Sequence, residues 1–305
     1  MRPRQVIAGL TYLMTRRCTQ RQFLLRPDEV VEDIVLYCLA VAAERYGISL
    51  NAYVAMSNHE HLVVRDNLGN FPEFLAYHHR LVAMAMNVHR GRCENFWAAE
   101  PPNAVHLVEA HDRFAALIYV LANPVASDLV ERAIDWPGAS SLALHISGRT
   151  TLTVKRPRLF FLRDGKMPKE ATLHIARLDG FEDLTEEEWI AKIDDAVCSA
   201  EDRARHVRRA AGRCVVGRKA ILRAVPTDTP KAVEGRRASR PFLACRNLLR
   251  RAREAAAYFL FQRERRAAWL RTRAGEQDVR FPFGTYRVWG FFVTRPPADD
   301  LCLVA

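Results

Sequence analysis

No apolar run in this 305-residue chain approaches the roughly 20 residues that a bilayer-spanning helix needs. Nor does the N-terminus, Met1-Arg2-Pro3-Arg4-Gln5, lead into a stretch with a signal-peptide cleavage site, so a cytoplasmic protein is expected. Cysteine motifs are missing too. The seven cysteines, at 18, 38, 93, 198, 214, 245 and 302, are odd in number and widely scattered. None forms CxxC or stands at zinc-finger spacing from a histidine, and they read as reduced, mostly packing thiols. There is no Gly-rich phosphate loop and no GxSxG, which removes P-loop and serine-hydrolase chemistry. The acidic residues fall in helical segments rather than as the spaced carboxylates of two-metal nucleases. Internal repeats and long low-complexity segments are absent as well.

What the chain has in excess is positive charge, and it is placed unevenly. The net charge is +11, yet Glu201 to Arg280 alone holds 22 Lys+Arg against 8 Asp+Glu, or +14, leaving the rest at −3. A polyanion partner for this basic stretch is one implication, and a set of solvated helix faces is the other. The apolar fraction is ordinary and supplies a sizeable core. The length accommodates a catalytic domain over 1–147 and an extension over 148–305, basic from about 201 and a candidate DNA-binding region.

Along the chain, Val6 to Arg17 reads as a strand. Pro27 and Asp28 open a helix that runs through Tyr46 and stops at Gly47. Ser49 to Met56 and Glu60 to Arg65 form a hairpin bent near Ser57-Asn58. A second helix covers Phe71 or Pro72 to Arg90 and ends at Gly91, and Val105 to Val108 reads as a fourth strand. The order is β-α-β-β-α-β, so the fold class is α+β, a ferredoxin-like sandwich, followed by a mainly helical basic extension.

Asp112 is the expected N-cap of a further helix. That helix should kink or end at Asn123, before Pro124, which can then open a short helix through Leu129 and Ile134. Thr150 to Phe161 and Ala171 to Leu178 look strand-like. Thr185 begins a capping box with an apolar stripe at Trp189, Ile190 and Ile193. A long helix from about Cys245 to Arg273 carries Leu248, Leu249, Ala252, Ala256, Phe259 and Leu260 as its apolar face, and Phe281 to Val293 reads as a closing strand or hairpin.

The chemistry concentrates in Met56-Ser57-Asn58-His59-Glu60-His61-Leu62-Val63-Val64. On a strand, His59 and His61 share one face while Glu60 takes the other. Two such imidazoles can hold one divalent ion, or be ordinary strand histidines, one capping a turn and one satisfied by a carboxylate. Glu60, among apolar neighbours, needs an Arg or Lys partner or solvent, unless it bends toward the ion. Downstream, Tyr119 and Asn123 are spaced i,i+4 and share a helix face. Tyr119 is a core aromatic or a nucleophile; Asn123 is a ligand or the cap of the helix that Pro124 begins.

These residues resemble a known family. His59-Glu60-His61 is similar to the HUH motif of single-tyrosine transposases, although Glu60 stands where that family usually has an apolar residue. Tyr119 with Asn123-Pro124-Val125 resembles the nucleophile helix of the REP-associated subgroup. Phe96-Trp97 and Trp136-Pro137-Gly138 with Ser140 match further landmarks. The likeness spans roughly residues 6 to 142, with a fainter one over Arg280-Phe281-Pro282-Phe283-Gly284-Thr285-Tyr286.

The resemblance implies the ferredoxin-like fold, Tyr119 as nucleophile, and Mg²⁺ or Mn²⁺ held by His59, His61 and Asn123. It implies cleavage and strand transfer of single-stranded or hairpin DNA by a nucleoid-associated monomer that assembles its site in one chain. Arg16 and Arg17, at the exit of the first strand, and Arg246, Arg250, Arg251 and Arg253, on the long helix, are the candidate DNA contacts. Tyr258, Phe259 and Phe261 of that helix are stacking candidates or packed residues. The alternative is a domesticated DNA-binding protein of the same fold with weakened catalysis, a reading motivated by Glu60 and the large basic tail.

Overall fold

The computed structural model describes residues 4–158, 160–162, 164–231 and 240–286. They fall into two compact units, one spanning Gly9–Ala244, the other joining the residues before Gly9 to those from Cys245 on.

In the larger unit, Gly9 takes φ +84° and turns the chain. The first strand, β1 (Leu10–Arg17), therefore starts four residues later than the apolar pattern from Val6 suggested. Helix α1 (Glu29–Tyr46) is capped by Asp28, whose side chain accepts from the Val31 N–H at 2.9 Å. It stops at Gly47 in the left-handed region, φ +61°. Strands β2 (Ile48–Met56) and β3 (His59–Asp66) form the expected hairpin, with a bulge between Leu50 and Ala52. Helix α2 (Phe71–Arg90) ends at Gly91, and β4 (Asn103–Leu107) follows.

The sheet order is β2-β3-β1-β4 with a fifth strand beyond β4, antiparallel over the first four strands. That is the strand order of a ferredoxin-like sandwich. The fifth strand, β7 (Leu243–Ala244), pairs parallel with β4 and was not expected; two residues carry no periodicity to read.

Helices cover both faces of this sheet. Even-numbered side chains of β3, from Glu60 on, face α2, whereas His61 and Val63 face α3 (Ala110–Ala126). Here two expectations are corrected. The N-cap of α3 is Glu109, and Asp112 sits at the third helical position, where it closes a capping box onto the Glu109 N–H at 3.1 Å. The helix also continues through Asn123 and Pro124 to Ala126. Pro124 removes one hydrogen bond near the helix end, and the burial of Val120, Leu121, Pro124 and Val125 offsets that loss. No helix runs from Pro124 through Ile134; a single 3₁₀ turn at Ala133–Asp135 precedes Trp136.

After α4 (Leu142–Ile146), β5 (Thr151–Lys155) and β6 (Glu170–His174) pair antiparallel as a separate two-stranded sheet. Thr185 caps α5 (Glu186–Ala210) through the expected box. Trp189, Ile193 and Val197 of α5 join Leu117, Val120 and Leu121 of α3 in one core, so residues beyond 147 are packed into the larger unit. Short α6 (Arg218–Arg223) contributes Ile221 to the same core.

In the smaller unit, α7 (Leu248–Arg273) does not bury its predicted stripe. Leu248 and Leu249 are 66 % and 85 % exposed, and Phe259 and Leu260 are exposed too; the buried positions are Phe261 and Ala268. The reason is where the apolar partners lie: the chain returns after Gly275, and Val279 and Phe281 pack on Ala268. Of the closing strand expected over Phe281 to Val293, the described part makes an isolated bridge, Thr285 with Gln5; the positions from 287 on lie outside the described residues. Cysteines 18, 38 and 245 are buried, whereas Cys93, Cys198 and Cys214 are exposed free thiols rather than packing residues. Among the described residues no helix is long and apolar enough to cross a membrane.

Candidate metal and nucleophile site

β3 and α3 bring the two sequence motifs together. The His59 and His61 rings stand 4.7 Å apart, nearly perpendicular, and the Tyr119 ring lies 5.2 Å from that of His61. Each imidazole is steered by a neighbour through Nδ1. His59 Nδ1 donates to Asn58 Oδ1 at 2.6 Å, and His61 Nδ1 lies 2.8 Å from the Thr15 hydroxyl, its cross-strand neighbour on β1. With Nδ1 of each ring so engaged, Nε2 is the nitrogen that could take a metal ion.

Burial, then the guanidinium of Arg17 directly opposite on β1, pushes His59 down to about 4. Burial, then His59, takes His61 to about 3. Both are neutral at pH 7 and carry the lone pair that a cation needs.

Tyr119 is 47 % exposed and opens onto a cleft of about 490 Å³ lined by Thr15, Arg16, Arg17, His61 and Arg240, among others. Burial raises its phenol above the ordinary value, and a hydrogen bond with the Asn123 side chain opposes that shift. Asn123 is itself buried and accepts from the Ser127 hydroxyl at 3.3 Å. Because α3 continues past it, Asn123 caps no following helix, and its side chain bonds to Tyr119 one turn earlier. By chemical type, two neutral imidazoles and an amide oxygen are donors that Mn²⁺ or Mg²⁺ accepts.

Arg16 and Arg17 line this cleft and engage Glu100, Arg16 Nη1 donating to its carbonyl at 2.5 Å and Arg17 pairing with its carboxylate at 3.9 Å. Arg240 reaches the same carboxylate at 3.0 Å. Sequence reasoning missed Arg240, which lies about 120 positions from Tyr119 in a Pro-containing connection with no local signal. Arg246, Arg250, Arg251 and Arg253 belong to the other compact unit, where Arg246, Arg251 and Arg253 are exposed and Arg250 is half-buried.

Glu60 does not bend toward His59 and His61. Its partners are His78 and His79 of α2, on the opposite face of the sheet. Two adjacent histidines on a helix gave no pattern by which to foresee this.

Fold and site together define an α+β protein with a ferredoxin-like sheet, a histidine pair on one strand and a tyrosine facing it from a helix. Among solved structures the chain is similar to a REP-associated tyrosine transposase bound to a REP hairpin, at 16 % identity over 60 % of this chain and 96 % of that one, TM-score 0.41. It is also similar to a putative transposase from Deinococcus radiodurans R1, at 20 % identity over 39 % of this chain and 95 % of that one, TM-score 0.29. No family model and no curated protein matches.

Proposed function

We propose that the chain is a metal-dependent, single-tyrosine DNA endonuclease and strand transferase acting on single-stranded or hairpin DNA. The observation that carries this reading is Tyr119 facing His61 at 5.2 Å beside a histidine pair held neutral, with Nε2 of each ring left to ligate. A divalent ion, Mg²⁺ or Mn²⁺, held by His59, His61 and Asn123 would supply polarisation of the scissile phosphodiester. Tyr119 Oη attacks phosphorus and forms the Tyr–O–P bond, the P–O3′ bond breaks, and the departing oxygen takes up a proton as a 3′ hydroxyl while the phenolic proton passes to solvent. The phenol is held protonated at neutral pH, so its attack depends on that polarised phosphate. A phenolate leaves more readily than an alkoxide, so a free 3′ hydroxyl can reverse the link and join strands without ATP.

Arg16, Arg17 and Arg240 are positioned to receive backbone phosphates in the cleft, releasing Glu100 as they do so. Since the histidines and Tyr119 meet within one chain, the site needs no second copy, and a monomer acting in cis is the expected form. Incubation with single-stranded hairpin DNA and Mn²⁺ should give a covalent adduct that Tyr119→Phe abolishes. Mixing a His59→Ala chain with a Tyr119→Phe chain should not restore cleavage, and restoration would mean shared sites. Binding without cleavage across Mg²⁺, Mn²⁺ and several hairpins would favour the domesticated DNA-binding protein instead.

A further inference from the structure

The face of β3 turned away from Tyr119 carries a second convergence of ligating atoms. Glu60 Oε2 lies 3.1 Å from His78 Nε2, and its Oε1 lies 2.7 Å from His79 Nε2. The three residues are 2 %, 0 % and 6 % exposed, and one ligating atom from each lies within 4.8 Å of the other two. Consecutive helix residues diverge by about 100°, so one carboxylate reaches both imidazoles only from beneath the helix, where β3 places it.

The two rings are held by aromatic neighbours. His78 stacks on Phe74, centroids 6.1 Å apart and 8° from parallel, and His79 packs against Trp97 at 5.1 Å. His78 Nδ1 is buried without a partner among the described residues, so the contact with Glu60 is the polar chemistry of that ring. A carboxylate in the core calls for a compensating cation. The cluster consists of these three side chains, which makes the donor set two imidazole nitrogens and the carboxylate.

We propose that Glu60, His78 and His79 form a buried structural Zn²⁺ site, separate from the ion site beside Tyr119. The carboxylate and both Nε2 atoms supply three protein ligands of the His2Glu type that zinc takes, in a pocket where all three are buried. Donors about 2.0–2.2 Å from one Zn²⁺ stand at most about 4.4 Å apart, so small ring rotations complete the shell as each neutral imidazole moves its proton from Nε2 to Nδ1. The ion would tie α2 to β3 directly behind His59 and His61.

The test uses the full chain carrying His59→Ala and His61→Ala, loaded with Zn²⁺, dialysed against a weak chelator and assayed by elemental analysis. About one equivalent should remain, with an X-ray absorption shell of two imidazoles and carboxylate oxygen at about 2.0–2.2 Å. Adding Glu60→Gln should lower retention at least about tenfold. No retained Zn²⁺ in the double variant, or undiminished retention after Glu60→Gln, overturns the site. Should the triple variant fail to fold, the absorption spectrum of the double variant decides alone: a shell without two imidazoles contradicts the proposal.

Discussion

Thr15 and His61 stand directly opposite each other across β1 and β3, and the Thr15 hydroxyl lies 2.8 Å from His61 Nδ1. This contact, rather than the histidine alone, aims Nε2 away from the strand. Thr15→Val keeps the shape and removes the hydroxyl, so Mn²⁺ affinity measured by calorimetry should fall about 10- to 100-fold with the thermal unfolding little changed.

The pH response follows from the depressed histidines. The site takes up protons near pH 4 and below, at His59 and then at His61, so Mn²⁺ binding should be flat from pH 7 to about 5 and fail under that. For stability the sign is set by the unfolded chain, whose histidines bind protons near ~6.5. The folded state binds fewer protons between ~6.5 and 4, so stability is fully present above that window and is lost as pH falls through it. Denaturant titrations should show a shallower loss for the His59→Ala/His61→Ala chain. The slope should not vanish, because His79 and His145, each pushed to about 4 by burial, act with the same sign.

Much of the sheet was legible because its punctuation is local. Asp28, Gly47 and Gly91 mark helix ends by chemistry that a single position reveals, a side-chain cap or a left-handed backbone. His59 and His61 share a face by strand alternation alone. What could not be read depends on distant partners. The pairing of Glu60 with His78 and His79, the arrival of Arg240 beside Tyr119 and the pairing of β7 with β4 are all set by the tertiary fold. At Pro124 and along α7 local rules pointed elsewhere: burial carried α3 past its proline, and the packed stripe of α7 follows Phe261 and Ala268.

The cleft arginines should contribute separably to DNA binding. Arg17→Ala and Arg240→Ala should each weaken single-stranded DNA binding across sequences and reduce the slope of log affinity against log salt by about 1. An unchanged slope would place the phosphates elsewhere.

Testing the basic tail by cutting the chain after Ser147 would damage the larger unit. That cut removes α5, whose Trp189, Ile193 and Val197 cover α3, each worth about 1.5–3 kcal/mol of burial, so the shortened chain should lose its cooperative unfolding. Replacing Arg246, Arg250, Arg251 and Arg253 by Ser in the full chain leaves that core intact. If α7 contacts phosphate, the salt slope should become shallower; the same slope as the parent would make these arginines a solvated face or a site for another acidic partner.

The central claim is that Tyr119 is the nucleophile. The most direct measurement is peptide mapping by mass spectrometry of the parent chain after reaction with single-stranded hairpin DNA and Mn²⁺. A nucleotide linked through its 5′ phosphate to the peptide carrying Tyr119, and a released strand ending in a 3′ hydroxyl, are expected. A covalent nucleotide on any other residue, or cleavage that proceeds with Tyr119 unmodified throughout the time course, would contradict it.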